Sequence, residues 1–148
     1  MQNEPIHVLL ADDDENDRLL FKEALEETKI KTVVKTVDDG IALMEYLGNP
    51  EVILPHVLFL DLNMPCRGGM DCLLDIKNEK RYKDIAIAIY STSASEKDIE
   101  DAFVNGANIY IKKPSDFSNL KKVLSEVITI NWQYHTSGLN RENFFLSL

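Results

Sequence analysis

The chain has 148 residues, of which 45% are hydrophobic and 28% are charged, so it fits one globular domain and is too apolar to be disordered. Sixteen lysines and arginines stand against 25 aspartates and glutamates, giving a net charge of −9 and no basic cluster for nucleic acid or an anionic membrane. No apolar run approaches the ~18 residues of a membrane span, and the first run is too short for a signal peptide. We therefore expect a cytoplasmic protein.

Short apolar runs and segments of helical period alternate along the chain. The first run, Ile6–Ala11, predicts a buried strand that ends in an acidic loop. The apolar stripe of residues 20–25 predicts an amphipathic helix with Asp14 as its N-cap. Residues 31–37 alternate and predict a more exposed second strand, and residues 39–47 predict a short helix.

Three more strands and three more helices follow in the same alternation. Five strands alternating with five helices predict an α/β fold with a parallel sheet covered on both faces. In such sheets the functional residues lie beyond the carboxyl ends of the strands. The remaining strands are predicted at Val57–Leu60, 85–90 and 109–111, and the remaining helices at 70–79, from Ser95 to Gly106, and around 120–128.

Polar residues follow four of the five predicted strands. Clustered carboxylates with a single lysine leave this edge near −2, a charge that suits a hard divalent cation such as Mg²⁺. With the cation bound, the pocket could accept a phosphoryl group, with Asp61 as nucleophile and Lys113 and Ser91 as its partners. Strand alternation puts Lys112 on the side opposite Lys113. The residues at this edge are Asp12, Asp13, Asp61, Ser91, Thr92 and Lys113.

Histidines and cysteines are poorly placed for catalysis or zinc binding. His7 and His56 lie at the amino ends of the first and third strands, and His135 lies in the tail. Cys66 and Cys72 lack the spacing of a metal-ligand pair. We therefore expect no histidine-based catalysis and two free thiols in a reducing cytosol.

Three motifs at the acidic edge resemble the signature of the receiver domain of two-component response regulators. Ser91 follows Asp61 by thirty residues and Lys113 follows it by fifty-two, as in the chemotaxis receiver. Gly69, eight residues after Asp61, falls on the loop glycine of that family, and the resemblance extends over residues 6–130. The motifs are Asp12-Asp13, Asp61-Leu62-Asn63-Met64-Pro65 and Lys113-Pro114.

The resemblance implies a flavodoxin-like, doubly wound (βα)5 fold with five parallel strands in the order 2-1-3-4-5. It implies that Asp61 accepts a phosphoryl group from a sensor histidine kinase. It also implies that Asp13, Asp61 and the backbone carbonyl of Asn63 hold Mg²⁺, with Asp12 acting through water. Such a protein is a signalling domain, not an enzyme, with only self-catalysed phosphotransfer and slow autodephosphorylation. It signals by binding a downstream protein.

The same resemblance assigns residues around the phosphoryl group. Lys113 and Ser91 would contact its oxygens, with Thr92 beside them. Ser91 and Tyr110 would form a two-state switch that responds to phosphorylation. The bond between Lys113 and Pro114 is expected to be cis. Ser91 replaces the commoner threonine and Thr92 is bulkier than the usual residue, but neither change removes a required atom.

The segments around the fourth and fifth strands look most like single-domain receivers that partner phytochrome-type kinases. The receiver is expected to span residues 1–130, with residues 131–148 as a C-terminal extension too short for an output domain. That extension is rich in aromatic and leucine residues. It therefore either packs on its own domain or buries itself in a homodimer.

Two other functions use related chemistry. A relay protein would pass the phosphoryl group on to a second histidine protein. A Mg²⁺-dependent aspartyl-phosphate hydrolase would need its nucleophile on the first strand and an aspartate two residues later as general acid. Here Asp61 follows the third strand, and the residue two positions later is Asn63, which cannot protonate a leaving group. A flavin-binding module is disfavoured because the acidic first loop would repel the flavin phosphate.

Overall fold

A computed structural model describes residues 4–129 and 145–146 and contains one six-stranded sheet with helices on both faces. Its strands are β1 (Ile6–Ala11), β2 (Thr32–Val37), β3 (Val57–Leu60), β4 (Ala86–Ser91), β5 (Ile109–Lys112) and β6 (Phe145–Leu146). Its helices are α1 (Glu15–Glu27), α2 (Gly40–Gly48), α3 (Gly69–Lys77), α4 (Glu96–Val104) and α5 (Phe117–Thr129), with a 3₁₀ turn at Lys80–Tyr82.

The strand order is β2-β1-β3-β4-β5-β6, and every neighbouring pair is parallel. The predicted α/β fold with the order 2-1-3-4-5 is therefore confirmed for the first five strands. All four residues of the central strand β3 are buried, since helices cover both of its faces. The edge strand β2 is only partly buried, as its alternating sequence predicts.

Two hydrophobic cores lie on opposite faces of the sheet. Leu9 and Ala11 of β1 face the core built with α2, α3 and α4, whereas Val8 and Leu10 face the core built with α1 and α5. This alternation is the period of two that a β-strand imposes on its side chains. Because both faces are filled, the carboxyl-terminal edge is where polar groups from several strands can meet.

Side-chain caps fix where α1 and α4 start at that edge. Asp14 accepts a hydrogen bond from the backbone N–H of Asp17 at 2.9 Å, as predicted for the N-cap of α1. Ser95 accepts one from the N–H of Asp98 at 3.1 Å. The hydroxyl of Ser93 donates to the carboxylate of Asp98 at 2.8 Å, so the loop before α4 is hydrogen-bonded to the helix.

Strand β6 is the main feature that the sequence patterns did not predict. Phe145 pairs with Tyr110 and Leu146 with Ile111, so this dipeptide lies along β5 of its own chain. The rest of the extension, residues 130–144 and 147–148, falls outside the described residues. Its choice between self-packing and dimerisation therefore stays a prediction. Within the part of the chain that the structure describes, no helix is long and apolar enough to cross a membrane.

Candidate functional site

Adjacent strands place the two buried carboxylates of the acidic edge side by side. Ala11 at the end of β1 pairs with Leu60 at the end of β3, so the residues that follow them, Asp12 and Asp61, are neighbours. The N–H of Asp61 donates to the carbonyl of Ala11 at 3.0 Å. Asp13 is exposed beside them, and one carboxylate oxygen from each of the three aspartates lies within 4.8 Å of the others.

Each buried aspartate uses one oxygen locally and presents the other to the pocket. The Oδ1 atom of Asp12 accepts from the N–H of Asp14 at 3.0 Å, and that of Asp61 accepts from the N–H of Asn63 at 3.1 Å. These bonds orient both carboxylates. The Oδ2 atoms of Asp12 and Asp61 then point toward the same lysine, Lys113.

Lys113 brings a positive charge into this pocket from the end of β5. Its Nζ lies 2.8 Å from Asp12 Oδ2 and 3.4 Å from Asp61 Oδ2, and its side chain is only 10% exposed. Its backbone N–H donates to the carbonyl of Ser91 at 2.8 Å, which fixes the start of the following loop against β4. Lys112 is exposed, so strand alternation selects one lysine for the pocket.

Burial and neighbouring charges have opposite effects on the pKa of Lys113. Burial by itself lowers the pKa of Lys113, but its close pairing with Asp12 and Asp17 and the nearby negative charges raise its pKa above the ordinary value of 10.5. Burial raises the pKa of Asp12. The Lys113 ammonium also lies 5.3 Å from the centroid of the Tyr90 ring, a cation–π distance. Lys113 therefore stays charged at neutral pH.

One oxygen in the pocket has no hydrogen bond of good geometry. Asp12 Oδ2 is buried and lies within ion-pair distance of Lys113, yet no described residue donates an aligned hydrogen bond to it. The Lys113 ammonium compensates the burial of this negatively charged oxygen. The three clustered carboxylates offer only oxygen ligands, the kind that hard divalent cations prefer. The donor set therefore fits such a cation, and the carbonyl of Asn63 as a ligand stays a prediction.

Hydroxyl groups border the pocket at the end of β4. Ser91 is buried and its Oγ accepts from the N–H of Ser93 at 3.1 Å, whereas Thr92 is exposed. Tyr110 is fully buried, and its hydroxyl donates to the carbonyl of Ser93 at 2.8 Å. Burial raises the pKa of Tyr110, so the phenol stays protonated. Ser91 and Tyr110, the predicted switch residues, are thus linked through the backbone of Ser93.

A further carboxylate reaches the pocket from α1. Asp17 Oδ2 lies 2.9 Å from Lys113 Nζ, and Arg18 Nη1 donates to the carbonyl of Asp12 at 2.8 Å. Neither contact was predicted from the sequence. A signal was present, because α1 starts immediately after Asp14 and its first turn must therefore lie over the same edge of the sheet.

Two other expectations have clear outcomes. The cis bond expected before Pro114 is wrong, since every peptide bond in residues 4–129 and 145–146 is trans. Trans is intrinsically favoured by about 0.5–1 kcal/mol before proline, and the turn after Lys113 is built with it. His7 and His56 do lie at the opposite end of the sheet, where the N–H of His7 donates to His56 Nδ1 at 2.9 Å.

Comparisons with known proteins agree with this geometry. A family model described as the response regulator receiver domain matches residues 8–125. The probable methanogenesis regulatory protein FilR2 of Methanothrix harundinacea (strain 6Ac) is 31% identical over 127 residues, which cover 84% of this chain and 82% of that protein. Response regulator Rcp1 of Synechocystis sp. (strain ATCC 27184 / PCC 6803 / Kazusa) is 29% identical over 132 residues, which cover 84% and 88%.

Solved structures extend the likeness to three dimensions. The Mn²⁺-bound form of Rcp1 matches with a TM-score of 0.76 and 28% identity, covering 83% of this chain and 91% of that one. The phosphorylated cyanobacterial phytochrome response regulator RcpA matches with a TM-score of 0.78 and 28% identity, covering 93% and 98%. The residues that the family model matches, 8–125, include the strands and loops that build the acidic edge.

Proposed function

This chain belongs to the response regulator receiver domain family, and we propose that it accepts a phosphoryl group from a histidine kinase on Asp61 in a Mg²⁺-dependent reaction. One observation carries the proposal: Asp61 lies in a cluster of three carboxylates within 4.8 Å of one another and faces the Lys113 ammonium at 3.4 Å. Its neighbours in structure include a Mn²⁺-bound regulator and a phosphorylated one. The proposal requires a divalent cation and a phosphoryl group in this chain as well, with Mg²⁺ as the cation.

The proposed reaction moves one phosphoryl group. An Asp61 carboxylate oxygen attacks the phosphorus of a kinase phosphohistidine, the P–N bond breaks, and the histidine nitrogen leaves as Asp61 becomes an acyl phosphate. Lys113 balances charge on the phosphoryl oxygens, because its ammonium is held at the pocket by buried carboxylates. Asp13, Asp61 and the Asn63 carbonyl, with Asp12 through water, would hold Mg²⁺, which when bound neutralises negative charge on the transferring group.

The hydroxyl side of the pocket supports a switching role. In the proposed response, the Ser91 hydroxyl turns toward the phosphoryl oxygens and Thr92 lines the entrance. Ser91 Oγ now accepts from the N–H of Ser93, whose carbonyl accepts from Tyr110, so a shift of the serine reaches the tyrosine through one residue. This couples a local charge change to the surface formed by α4 and β5. A downstream protein would recognise that surface.

The organisation of the chain is also part of the proposal. We place the receiver at residues 1–130 and a C-terminal extension at residues 131–148, and we propose that the protein acts in the cytoplasm. The pairing of Phe145–Leu146 with β5 supports an extension that packs at least partly on its own domain. In this proposal the receiver signals through protein–protein contacts.

Intact-mass spectrometry tests the chemistry directly. The protein is incubated with phosphoramidate, a small donor with a P–N bond, with and without Mg²⁺. We expect one alkali-labile phosphoryl adduct that requires the metal and is absent from Asp61→Asn. Asp38→Asn is the matched control, because Asp38 is an exposed aspartate that directly follows β2 and lies outside the carboxylate cluster.

Three results would contradict the proposal. An adduct that persists in Asp61→Asn would place the acceptor elsewhere. An adduct that forms equally well in a metal chelator would remove the cation from the reaction. Steady hydrolysis of phosphomonoesters by the wild-type protein would favour a hydrolase. A separate outcome concerns the role of the protein: transfer of the phosphoryl group from the labelled protein to an added histidine phosphotransfer protein would indicate a relay.

A further inference from the structure

Lys113 is shared unequally among three carboxylates. Its Nζ is 2.8 Å from Asp12 Oδ2 and 2.9 Å from Asp17 Oδ2, but 3.4 Å from Asp61 Oδ2. The ammonium is therefore closer to the α1 side of the pocket than to the proposed acceptor. Asp17 holds it there from the first turn of α1, where its own N–H is bonded to the N-cap Asp14 at 2.9 Å.

We propose that Asp17 is a positioning residue that competes with Asp61 for the Lys113 ammonium in the unphosphorylated protein and so opposes the movement of Lys113 toward the phosphoryl group. This inference rests on the proposed phosphorylation of Asp61. The inference goes beyond that proposed function because it assigns a role to Asp17, which lies outside the motifs of the acidic edge. Asp17 acts through Lys113 and does not touch the reacting atoms.

Phosphorylation changes the balance of charge around the lysine. Asp61 carries about −1 before the reaction, and a phosphoryl group carries about −1.5 to −2, so the pull on Lys113 toward Asp61 grows. The lysine can move only by loosening a contact on the α1 side. A stronger ion pair between Lys113 and the α1 side therefore makes the phosphorylated state less stable.

Exposure decides which contact loosens. The Asp12 side chain is fully buried, so water cannot replace the ammonium at its carboxylate. The Asp17 side chain is 32% exposed, so its carboxylate can be rehydrated when Lys113 leaves. Asp17 is therefore the partner that releases the lysine, and the first turn of α1 loses an ion pair when the phosphoryl group arrives.

Beryllium trifluoride provides a test that does not depend on turnover, because it binds a carboxylate as a phosphoryl mimic without covalent chemistry. Its affinity is measured by ¹⁹F NMR in the presence of saturating Mg²⁺. We expect Asp17→Asn, which keeps the shape and removes the charge, to bind about three- to fivefold more tightly than wild type, the range of a partly exposed ion pair. Asp17→Glu should return the affinity toward the wild-type value.

Glu15→Gln is the matched control for this charge change. Glu15 lies in the same first turn of α1 and carries the same charge, but it is exposed and Lys113 forms its ion pairs with other residues. We expect Glu15→Gln to shift the affinity much less than Asp17→Asn. Equal shifts in the two variants would overturn the inference, since the effect would then be general electrostatics. Weaker binding by Asp17→Asn would also overturn it, because Asp17 would then assist the lysine.

The two proposals fail in different ways. If Asp61 is not the acceptor, the wild-type protein forms no Asp61-dependent adduct with phosphoramidate and no beryllium trifluoride complex, and every variant behaves alike. If only the role of Asp17 is wrong, the wild-type protein forms both complexes and Asp17→Asn matches Glu15→Gln. As a second readout, the fraction phosphorylated at a fixed phosphoramidate concentration should rise in Asp17→Asn and stay near the wild-type level in Glu15→Gln.

Discussion

Gly69 begins α3 directly against the backbone of Asp61. A Cβ atom built on Gly69 would overlap the carbonyl oxygen of Asp61 and crowd the Cα of Leu62. The N–H of Gly69 donates to the carbonyl of Leu62 at 3.0 Å, so the helix start is bonded to the loop that carries the proposed acceptor. The glycine is required here by this close approach of two backbone segments.

Gly69→Ala should destabilise the fold and disturb the acceptor. We expect the free energy of unfolding to fall by about 1–3 kcal/mol, the usual cost of overpacking, because backbone atoms must shift to admit the methyl group. Urea unfolding measures this loss. Gly48→Ala at the end of α2 is the control, since nothing lies within 4 Å of its added Cβ. If both variants unfold at the same urea concentration, the contact between Gly69 and Asp61 is looser than described.

Divalent cations should stabilise the folded protein through the carboxylate cluster. At a Mg²⁺ concentration tenfold above its dissociation constant, binding to the folded state alone adds about 1.4 kcal/mol, which raises the midpoint of thermal unfolding by several degrees. Asp13→Asn removes one member of the cluster and should abolish most of that shift. Glu15→Gln should retain it. A full shift in Asp13→Asn would show that Mg²⁺ binds elsewhere.

Asn108, directly before β5, joins that strand to β4 through two hydrogen bonds with Ile87. Its Oδ1 accepts from the N–H of Ile87 at 2.8 Å, and its own N–H donates to the carbonyl of Ile87 at 2.8 Å. Asn108→Ala leaves the buried N–H of Ile87 without a partner, so we expect a loss of about 1–3 kcal/mol in the free energy of unfolding.

An exposed bond of the same type is the control for Asn108. Asn49 accepts from the N–H of Glu51 at 2.9 Å, but water can replace it there. Asn49→Ala should therefore cost less than about 0.5 kcal/mol. Urea unfolding of the two variants compares a buried bond with an exposed one, and an equal loss in both would count against the buried bond at Ile87.

The two cysteines should differ sharply in reactivity. Burial raises the pKa of Cys72 from 9.0 to about 11, so at pH 8 about one thiol in a thousand is ionised there. Cys66 is exposed in the loop after Asp61. We expect iodoacetamide at pH 8 to add one group, on Cys66, and to add the second only after denaturation. Two additions to the native protein, or one to native Cys66→Ser, would contradict this prediction.

The raised pKa of Cys72 also gives a pH dependence with a definite sign. The unfolded chain releases the thiol proton near pH 9.0, whereas the folded protein keeps it up to about pH 11. The contribution of Cys72 to stability is therefore complete below pH 9 and is lost as the pH rises toward 11. Urea unfolding at pH 8 and pH 10.5 should show a smaller loss for Cys72→Ala than for wild type.

The buried strands and the acidic edge were predictable because hydrophobic burial leaves a clear local pattern in the sequence. Unbroken apolar runs mark strands covered on both faces, and a parallel sheet must bring their carboxyl ends together. Asp12, Asp61 and Lys113 follow three such runs, so their meeting follows from the strand boundaries. The family resemblance added the order of the strands.

Other features depend on interactions that no sequence pattern records. The start of α1 directly after Asp14 places Asp17 over the acidic edge, but the ion pair with Lys113 also depends on the conformations of two side chains, which no hydrophobic pattern specifies. The isomer before Pro114 is decided by a small free-energy difference, so a family habit is a weak guide. Strand β6 has two residues, too few to show any periodicity, and its place is set by β5.

The pairing of Phe145–Leu146 with β5 has a consequence for the solubility of the protein. The edge of β5 that faces away from β4 is already paired at Tyr110 and Ile111 with a strand of the same chain. An open strand at this position would be a template on which another copy could add its own strand, the usual start of fibril growth. Phe145–Leu146 thus shields this edge of the sheet, and a chain cut short after Thr129 should precipitate at concentrations at which the intact chain stays in solution.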